Sequence, residues 1–303
     1  QQLTLTSEKP ILQAGTFSLI PSNVNDSKLG TFNFSINSVT LGLMNGESAI
    51  AINIGMNFMD TASMNISVSG GFSILTKTQV VNDEAAGAGN NKNKFEFDKI
   101  RIDNITLALN SQAFHLNGTL IFKDDDPVYG KGFYGQIGMT IEKIMPAPAS
   151  SAVWFGKVNN YRYFYVDAAV PIPVPIGFAT IYRFMGGIYY HMQRPGNVSL
   201  ENQLYTNSFS NASGYVPDNN ITLGIKAGVT LGTSLNPKPC NGDVAVEMNF
   251  NTNGGINLLQ LSGNMFFMIA INDRLNIQPA QAPAIASMQM QYDFVNSAFH
   301  AVL

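Results

Sequence analysis

The sequence predicts an all-β protein: a large antiparallel β-sheet or sandwich with long polar connections and at most one or two short helices. Apolar and polar residues alternate with a period of two along most of the 303-residue chain, which is the spacing of half-buried antiparallel strands. No segment shows the sustained 3.6-residue apolar periodicity with caps that marks a helix. A dozen or more strands with little helix indicate a sandwich, stacked sheets or a barrel.

The composition is polar without being highly charged. Charged residues make up 12% of the chain, and 33 residues are Asn, whereas a typical soluble domain is roughly 25% charged. The net charge of −3 is spread thinly. Because no basic stripe supplies the electrostatic term for phosphate binding, no nucleic-acid partner is expected. The single cysteine, Cys240, excludes an intrachain disulfide.

An N-terminal antiparallel β region is predicted for residues 1–81. Its clearest strand is Ile50–Phe58, where Ile and Met alternate with Asn, Gly and Ala. Asn82–Lys94 is polar and rich in Gly, which is typical of a loop and places an early boundary there. Beyond it the apolar parity flips near Lys99 and again near Asn104, which predicts bulges or bends in one long ribbon.

Residues 95–193 are predicted to form a central β region with a Pro-rich crossover, and residues 221–303 a C-terminal β region. Within the central region, Gly177–Gly186 is the best candidate for a short helix. Arg194–Asn220 and Gln278–Ala286 are interpreted as long connections that can reach a neighbour. The three regions are expected to pack as one or two continuous β domains.

A row of tyrosines is the best candidate for a binding site. Tyr161, Tyr163, Tyr165 and Asp167 alternate along one strand and so share a face. Aromatic faces stack on sugar rings, so one hypothesis is a glycan platform. The alternative is a cross-strand aromatic ladder that stabilises the sheet. Asp167 stands among apolar residues and needs a partner, for which Arg162 or Arg183 is expected.

Three consecutive carboxylates, Asp124, Asp125 and Asp126, are a weak candidate for a calcium site, because hard cations prefer clustered oxygens. They lack the alternate spacing and the distal Glu of an EF-hand loop, which favours a solvated hairpin tip. The chain has no G-x-S-x-G elbow, HExxH motif or P-loop. We therefore predict a non-enzymatic protein with no catalytic residues and no cofactor.

Two stretches of the chain carry a resemblance. VWFGKVNNYRYFYVDAAVP with GFATIYRFMGGIYYHM, and later GIKAGVTLGTSLNPKPCNGDVAVEMNFNTNGG, resemble segments of very large secreted or cell-surface proteins of the Bacteroidetes type, many of which depend on type IX secretion. The likeness covers Phe95–Met268. Asp60-Thr61-Ala62 is similar to the short O-glycosylation acceptor of that group. The resemblance implies an extracellular or cell-surface location and no particular reaction.

The leading functional hypothesis is an extracellular structural or adhesive β protein. Its neutral, Asn-rich strand faces lack the charges that keep sheets apart. The expected partners are therefore further copies of itself in an oligomer or filament, or neighbouring domains of a longer chain, because the sequence stops at Leu303 inside a predicted strand. Glycans are a further possible partner, through a glycan-binding surface module.

The other alternative is an outer-membrane β-barrel. Strands of about ten residues with strict alternation fit a membrane-spanning strand. Three features of the sequence argue against a β-barrel: the prolines Pro171, Pro173 and Pro175, the single Trp, and the lack of paired aromatic girdles.

Overall fold

The computed structural model describes residues 4–5, 12–14, 17–19, 27–29, 32–44, 47–82, 91–145, 148–195, 200, 214–276 and 285–303. Strands account for 77% of the described residues and helix for 2%, and most strands belong to one large antiparallel sheet. The predicted all-β class with little helix is therefore confirmed. Among the described residues, no helix is both long enough and apolar enough to cross a membrane.

The chain divides into two compact units. The first unit consists of residues 1–112 and 119–122, and the second of residues 113–118 and 123–303. The strand Phe114–Asp126, β9, contributes residues to both units.

In the first unit the long strands follow one another as antiparallel neighbours. β5 pairs with β6, β6 with β7 and β7 with β8, while the short β3 and β4 both pair with β5, and β1 pairs with β2. The strands are β1 (Thr4–Leu5), β2 (Leu12–Ala14), β3 (Phe17–Leu19), β4 (Ser27–Leu29), β5 (Phe32–Met44), β6 (Glu47–Asp60), β7 (Met64–Asn82) and β8 (Asn91–Ser111).

The second unit is an antiparallel sheet in the order β10-β11-β12-β14-β17-β18-β19-β20-β21. β13 also pairs with β14, β15 pairs with β16, and a short 3₁₀ helix spans Ile271–Asn276. The strands are β10 (Gly130–Ile141), β11 (Ala149–Val158), β12 (Tyr161–Val170), β13 (Val174–Ile176), β14 (Ala179–Tyr190), β15 (Met192–Gln193), β16 (Val216–Pro217), β17 (Ile221–Thr233), β18 (Cys240–Asn251), β19 (Ile256–Phe267), β20 (Ile285–Asp293) and β21 (Ala298–Val302).

The irregularities predicted in the long ribbon are confirmed, and both are β-bulges rather than bends. The pairing of β7 with β8 shifts register between Gly71 and Phe72, opposite Asn104, and between Leu75 and Thr76, opposite Lys99. Each bulge inserts one residue and so reverses which residues face a given side. Because the sequence parity also flips at these two points, the apolar residues of β8 stay on one face: Phe97, Ile100, Ile102, Ile105 and Leu107.

The helix predicted for Gly177–Gly186 is wrong. Ala179–Tyr190 is a strand that pairs on one edge with β12 and on the other with β17. Its register with β17 shifts between Ile181 and Arg183. This irregularity breaks the period of two in the apolar pattern of the segment. The segment is also rich in β-branched and aromatic residues, which favour strands.

Some predicted boundaries change, and others lie outside the described residues. Asn91–Lys94 belongs to β8, so the loop predicted for Asn82–Lys94 is shorter, and its residues 83–90 are not among those described. The hairpin tip expected at Asp124, Asp125 and Asp126 lies just after them, because these three residues belong to β9 and the turn comprises residues 127–129. Within the two predicted connections, residues 196–199, 201–213 and 277–284 lie outside the described part of the chain.

Glycines in the second unit make room for aromatic rings. Gly224 of β17 stands opposite Tyr189 of β14. A Cβ atom at Gly224 would lie 1.9 Å from the Tyr189 ring, so no larger residue fits without displacing it. By contrast, a Cβ atom at Gly186 would meet nothing closer than a backbone oxygen at 3.9 Å.

We therefore expect Gly224→Val to destabilise the protein by about 1–3 kcal/mol, the usual range for overpacking a filled site. The matched variant Gly186→Val is expected to change stability by less than about 0.5 kcal/mol. Urea-unfolding midpoints of the two variants measure the difference. Equal midpoints would contradict the packing of Tyr189 over Gly224.

Candidate functional site

The second unit exposes an apolar face. In β18, Val244 and Val246 are each 38% exposed. Ala245, which lies between them, and Glu247, which follows Val246, are each only 1% exposed. The pairing of strands extends this face across the sheet, because residues opposite one another in register share a face. One such row is Ile188, Ile225, Met248, Leu259 and Tyr292.

An aromatic ladder borders this apolar face on four strands. Phe133, Phe155, Phe164 and Tyr190 stand in register on β10, β11, β12 and β14. Neighbouring rings are stacked, with centroids 5.3, 6.0 and 5.7 Å apart. Further aromatic residues are exposed elsewhere: Phe178, just before β14, is 91% exposed, and Phe184, in the middle of β14, is 39% exposed.

The opposite face of the same sheet is buried, and it carries charged side chains among aromatic ones. Asp167, Lys226, Glu247 and Gln260 lie in one row across β12, β17, β18 and β19, and each is at most 3% exposed. A buried charge is costly unless it is paired and hydrogen-bonded. The arrangement is therefore the reverse of an ordinary soluble sheet, which buries its apolar face and exposes its polar one.

Asp167 is partnered by Lys226 rather than by Arg162 or Arg183, so that expectation was wrong. The Lys226 ammonium lies 3.4 Å from Asp167 Oδ2, and the Ala152 N–H donates to Asp167 Oδ1 at 3.1 Å. β14 lies between the strand of Asp167, β12, and the strand of Lys226, β17. Gly187 of β14 leaves the space in which the Lys226 side chain reaches Asp167. A Cβ atom there would lie 2.9 Å from both Asp167 Cβ and Lys226 Cε.

Glu247 is the centre of a second group of polar contacts. Its Oε1 accepts hydrogen bonds from the hydroxyls of Tyr189 at 2.9 Å and Tyr215 at 2.6 Å. Its Oε2 accepts from the Arg194 guanidinium at 2.8 and 2.7 Å, and Arg194 also donates to Gln260. Burial, and then the nearby Glu247 carboxylate, raise the pKa of Tyr215 well above its ordinary value, so the phenol remains a donor.

Asp243 forms a third buried ion pair on this face. Arg274 of the 3₁₀ helix donates to Asp243 Oδ2 at 2.8 Å and to Oδ1 at 3.3 Å, and Thr230 also donates to Oδ1. The guanidinium lies 4.5 Å above the centroid of the Phe266 ring. Arg194, Tyr215 and Arg274 all lie outside the long strands, so segments from two connections cover the polar face and are held there by carboxylates.

The tyrosines predicted as a platform do lie along one strand, but they are buried. Tyr163 and Tyr165 are 2% and 0% exposed, and Tyr161 is half-buried with an edge contact to His191. The Tyr163 hydroxyl donates to the Tyr129 carbonyl at 2.7 Å, and the Tyr165 hydroxyl donates to Asp167. These contacts match the aromatic ladder that was the alternative, and Tyr163 and Tyr165 expose almost none of their rings to a ligand.

The three consecutive aspartates lie at the end of β9, and their contacts are local. Asp126 Oδ1 accepts the N–H groups of Val128 and Tyr129 at 3.0 Å each, and its Oδ2 lies 3.4 Å from the Lys123 ammonium. Asp124 lies 3.9 Å from Lys131. Across the described residues, no group of three or more His, Cys, Asp or Glu is placed to hold a metal ion.

The first unit, taken by itself, repeats the exposed apolar face. The apolar residues that the two bulges keep on one side of β8 are strongly exposed: Phe97 at 66%, Ile100 at 60%, Ile102 at 47%, and Ile105 and Leu107 at 37% each. On the other face Ser73 is fully buried and donates to Asp103 Oδ2 at 2.6 Å, and Arg101 donates to Asp103 Oδ1 at 2.8 Å.

Sequence reasoning missed Lys226, Glu247, Arg194 and Asp243 as members of buried ion pairs. The signal was present, because these charged residues stand in or beside otherwise apolar strands, but their mutual pairing depends on register between strands. Comparison with protein-family models, curated proteins and solved structures found no match for this chain.

A double-mutant cycle on Glu247 and Arg194 tests the buried pair. Glu247→Gln leaves the Arg194 guanidinium without its anion, and we expect a loss of about 3–5 kcal/mol in the free energy of unfolding. Adding Arg194→Met removes the stranded charge and is expected to restore at least about half of that loss. Glu96→Gln, in the exposed pair with Lys94, is the control, with an expected effect within about 0.5 kcal/mol. Additive effects of the two buried substitutions would contradict the pairing.

Proposed function

We propose that this protein is an integral outer-membrane protein whose sheet lies in the bilayer, with its apolar face toward lipid. The inverted polarity of the second unit is the observation that supports this most strongly. Strand residues such as Val244, Val246 and Ile225 are exposed, while the charged residues between them are buried and paired. In membrane β-barrels, strands alternate in the same way between apolar outward and polar inward residues.

Strand length supports the same proposal. The strands β10, β11, β12, β14, β17, β18 and β19 have 10 to 13 residues, and a tilted strand needs about 9–11 residues to cross a bilayer. Aromatic rings such as Phe155, Phe164 and Tyr190 would lie at the level of the lipid headgroups, where membrane proteins concentrate them.

The prolines that argue against a membrane β-barrel in the sequence do not interrupt its long strands. Pro171 and Pro173 fall between β12 and β13, and Pro175 lies in the short β13, so none interrupts a long strand. Lipid offers no hydrogen-bond partner, so a sheet in this environment needs all its edges paired. The proposal thus assigns the chain to the β-barrel class.

The polar side of the second unit suggests a scaffold rather than a catalyst. Asp167, Asp243 and Glu247 are each engaged by a cation and by hydroxyl groups. Carboxylates paired in this way hold one element of the fold against another. We propose a non-enzymatic protein of the cell surface.

The competing proposal is self-assembly, in which copies of the chain cover the apolar face as an extracellular filament. Protein interfaces have a polar rim around an apolar core. Lipid suits the apolar face better, because one of its rows continues without interruption across five neighbouring strands, β14, β17, β18, β19 and β20.

Fractionation separates the two proposals. We expect the protein to remain with membranes after a carbonate wash, to dissolve only in detergent, and to show a heat-dependent shift in electrophoretic mobility. Release into buffer without detergent, together with ordered polymers under negative stain, would support self-assembly and overturn membrane integration.

A charge placed on the apolar face gives a quantitative test. Val246 lies in mid-strand, so we expect Val246→Arg to destabilise vesicle-embedded protein by about 2–4 kcal/mol, the cost of Arg near the bilayer midplane. In water the same exposed substitution would change stability by only about 0.5 kcal/mol. Val295→Arg, in the turn between β20 and β21, is the control and is expected to have little effect. Urea titration in vesicles measures both, and equal effects would contradict a lipid-facing Val246.

A further inference from the structure

A groove opens on the apolar face of the second unit, toward one end of β17, β18, β19 and β20. Its volume is about 720 Å³, which falls within the range of about 300–1,000 Å³ for small-ligand sites. Apolar side chains from these strands and from the segment before β14 form its walls: Leu231, Val244, Met265, Met288 and Phe178.

The groove exists because small residues interrupt the apolar rows. Gly242 stands between Leu231 and Met265 in register, and Gly263 stands between Val244 and Met288. A glycine inside a strand weakens it unless another group approaches closely. The contacts that a side chain would make at Gly242 and at Gly263 show whether either glycine is required by packing.

Gly242 has a packing reason to be glycine, and Gly263 does not. A Cβ atom at Gly242 would lie 2.5 Å from the Asn264 carbonyl oxygen, which excludes any side chain. A Cβ atom at Gly263 would meet only the Asp243 carbonyl oxygen at 3.5 Å and a Val244 methyl at 3.8 Å, which is ordinary contact. The consequence of glycine at Gly263 is open space on the groove floor.

The groove offers a ligand almost no charge. Asp243 contributes to its floor, but the carboxylate of that residue is directed to Arg274 and Thr230 on the opposite face. Asn241 likewise donates to the carbonyls of Pro237 and Ile269. Because the walls are aliphatic, aromatic and thioether groups, the chemistry that suits the groove is a flexible hydrocarbon.

We infer that this groove binds an acyl chain of a membrane lipid. The inference rests on the proposed function, because Val244 and Met265 belong both to the groove and to the apolar face proposed to meet lipid. The groove crosses three inter-strand spacings, about 14 Å. That width suits a hydrocarbon chain better than a second protein, which would cover about 800 Å².

Photolabelling in vesicles tests the inference. The protein is reconstituted into phosphatidylethanolamine and phosphatidylglycerol vesicles that contain a phospholipid with a diazirine in its acyl chain, and labelled positions are mapped by mass spectrometry. We expect labels to concentrate on Leu231, Val244, Met265 and Met288. Gly263→Leu fills the floor and is expected to lower labelling at these positions about tenfold, because excluding two methylenes at about 0.8 kcal/mol each corresponds to that ratio.

Gly186→Leu is the matched control. Gly186 stands between Ala168 and Ala227 on the same apolar face, outside the groove, and has room for a side chain. It is expected to leave labelling of the groove unchanged, and both variants should leave labelling at Val166 unchanged. An unaltered circular dichroism spectrum shows that each variant folds.

The labelling experiment gives a different result for each way in which the inference could be wrong. Even labelling over the whole apolar face, unaffected by Gly263→Leu, would overturn the groove as a binding site while leaving membrane integration intact. Crosslinks from the groove to another copy of the chain would overturn the lipid as its occupant. Failure of the wild-type protein to enter vesicles would overturn the proposed function, and the lipid inference with it.

Discussion

Burying charge on one face of a sheet is the constraint on which the second unit depends. Three ion pairs lie there, Asp167 with Lys226, Glu247 with Arg194, and Asp243 with Arg274. Each pair joins residues from different elements, so none forms until the strands are in register and the connections are docked. A slip of one residue in β12, β17 or β18 would move the charged residues of that strand to the other face. The ion pairs therefore help to specify the register.

Glycine placement follows from the same constraint. Lys226 reaches Asp167 across an intervening strand only because Gly187 has no side chain, and the Tyr189 ring lies over Gly224 to bring its hydroxyl to Glu247. These glycines weaken their strands locally, but the hydrogen bonds and ion pairs that they permit offset the loss. The polar face is thus filled by side chains and by two covering segments.

The exposed apolar face is the main reason for proposing that the protein lies in a membrane. In water such a face would promote aggregation, whereas in lipid it is the favourable arrangement. Membrane integration also explains the composition, since few charges are needed when one face meets hydrocarbon and the other pairs its charges internally. Self-assembly explains the low charge equally well, but it gives no reason for aromatic rings to border the face.

The amino-acid sequence alone predicts the all-β class, most strands and the irregularities beside Lys99 and Asn104, because these features follow from the local alternation of apolar and polar residues. It could not say which face is buried, since alternation is the same whether the apolar side meets a core or lipid. It also misjudged Gly177–Gly186, where a register shift hides the period of two. The partner of Asp167 was decided only by tertiary structure, because Lys226 is brought to it by strand pairing across Gly187, over a separation along the chain that no local pattern encodes.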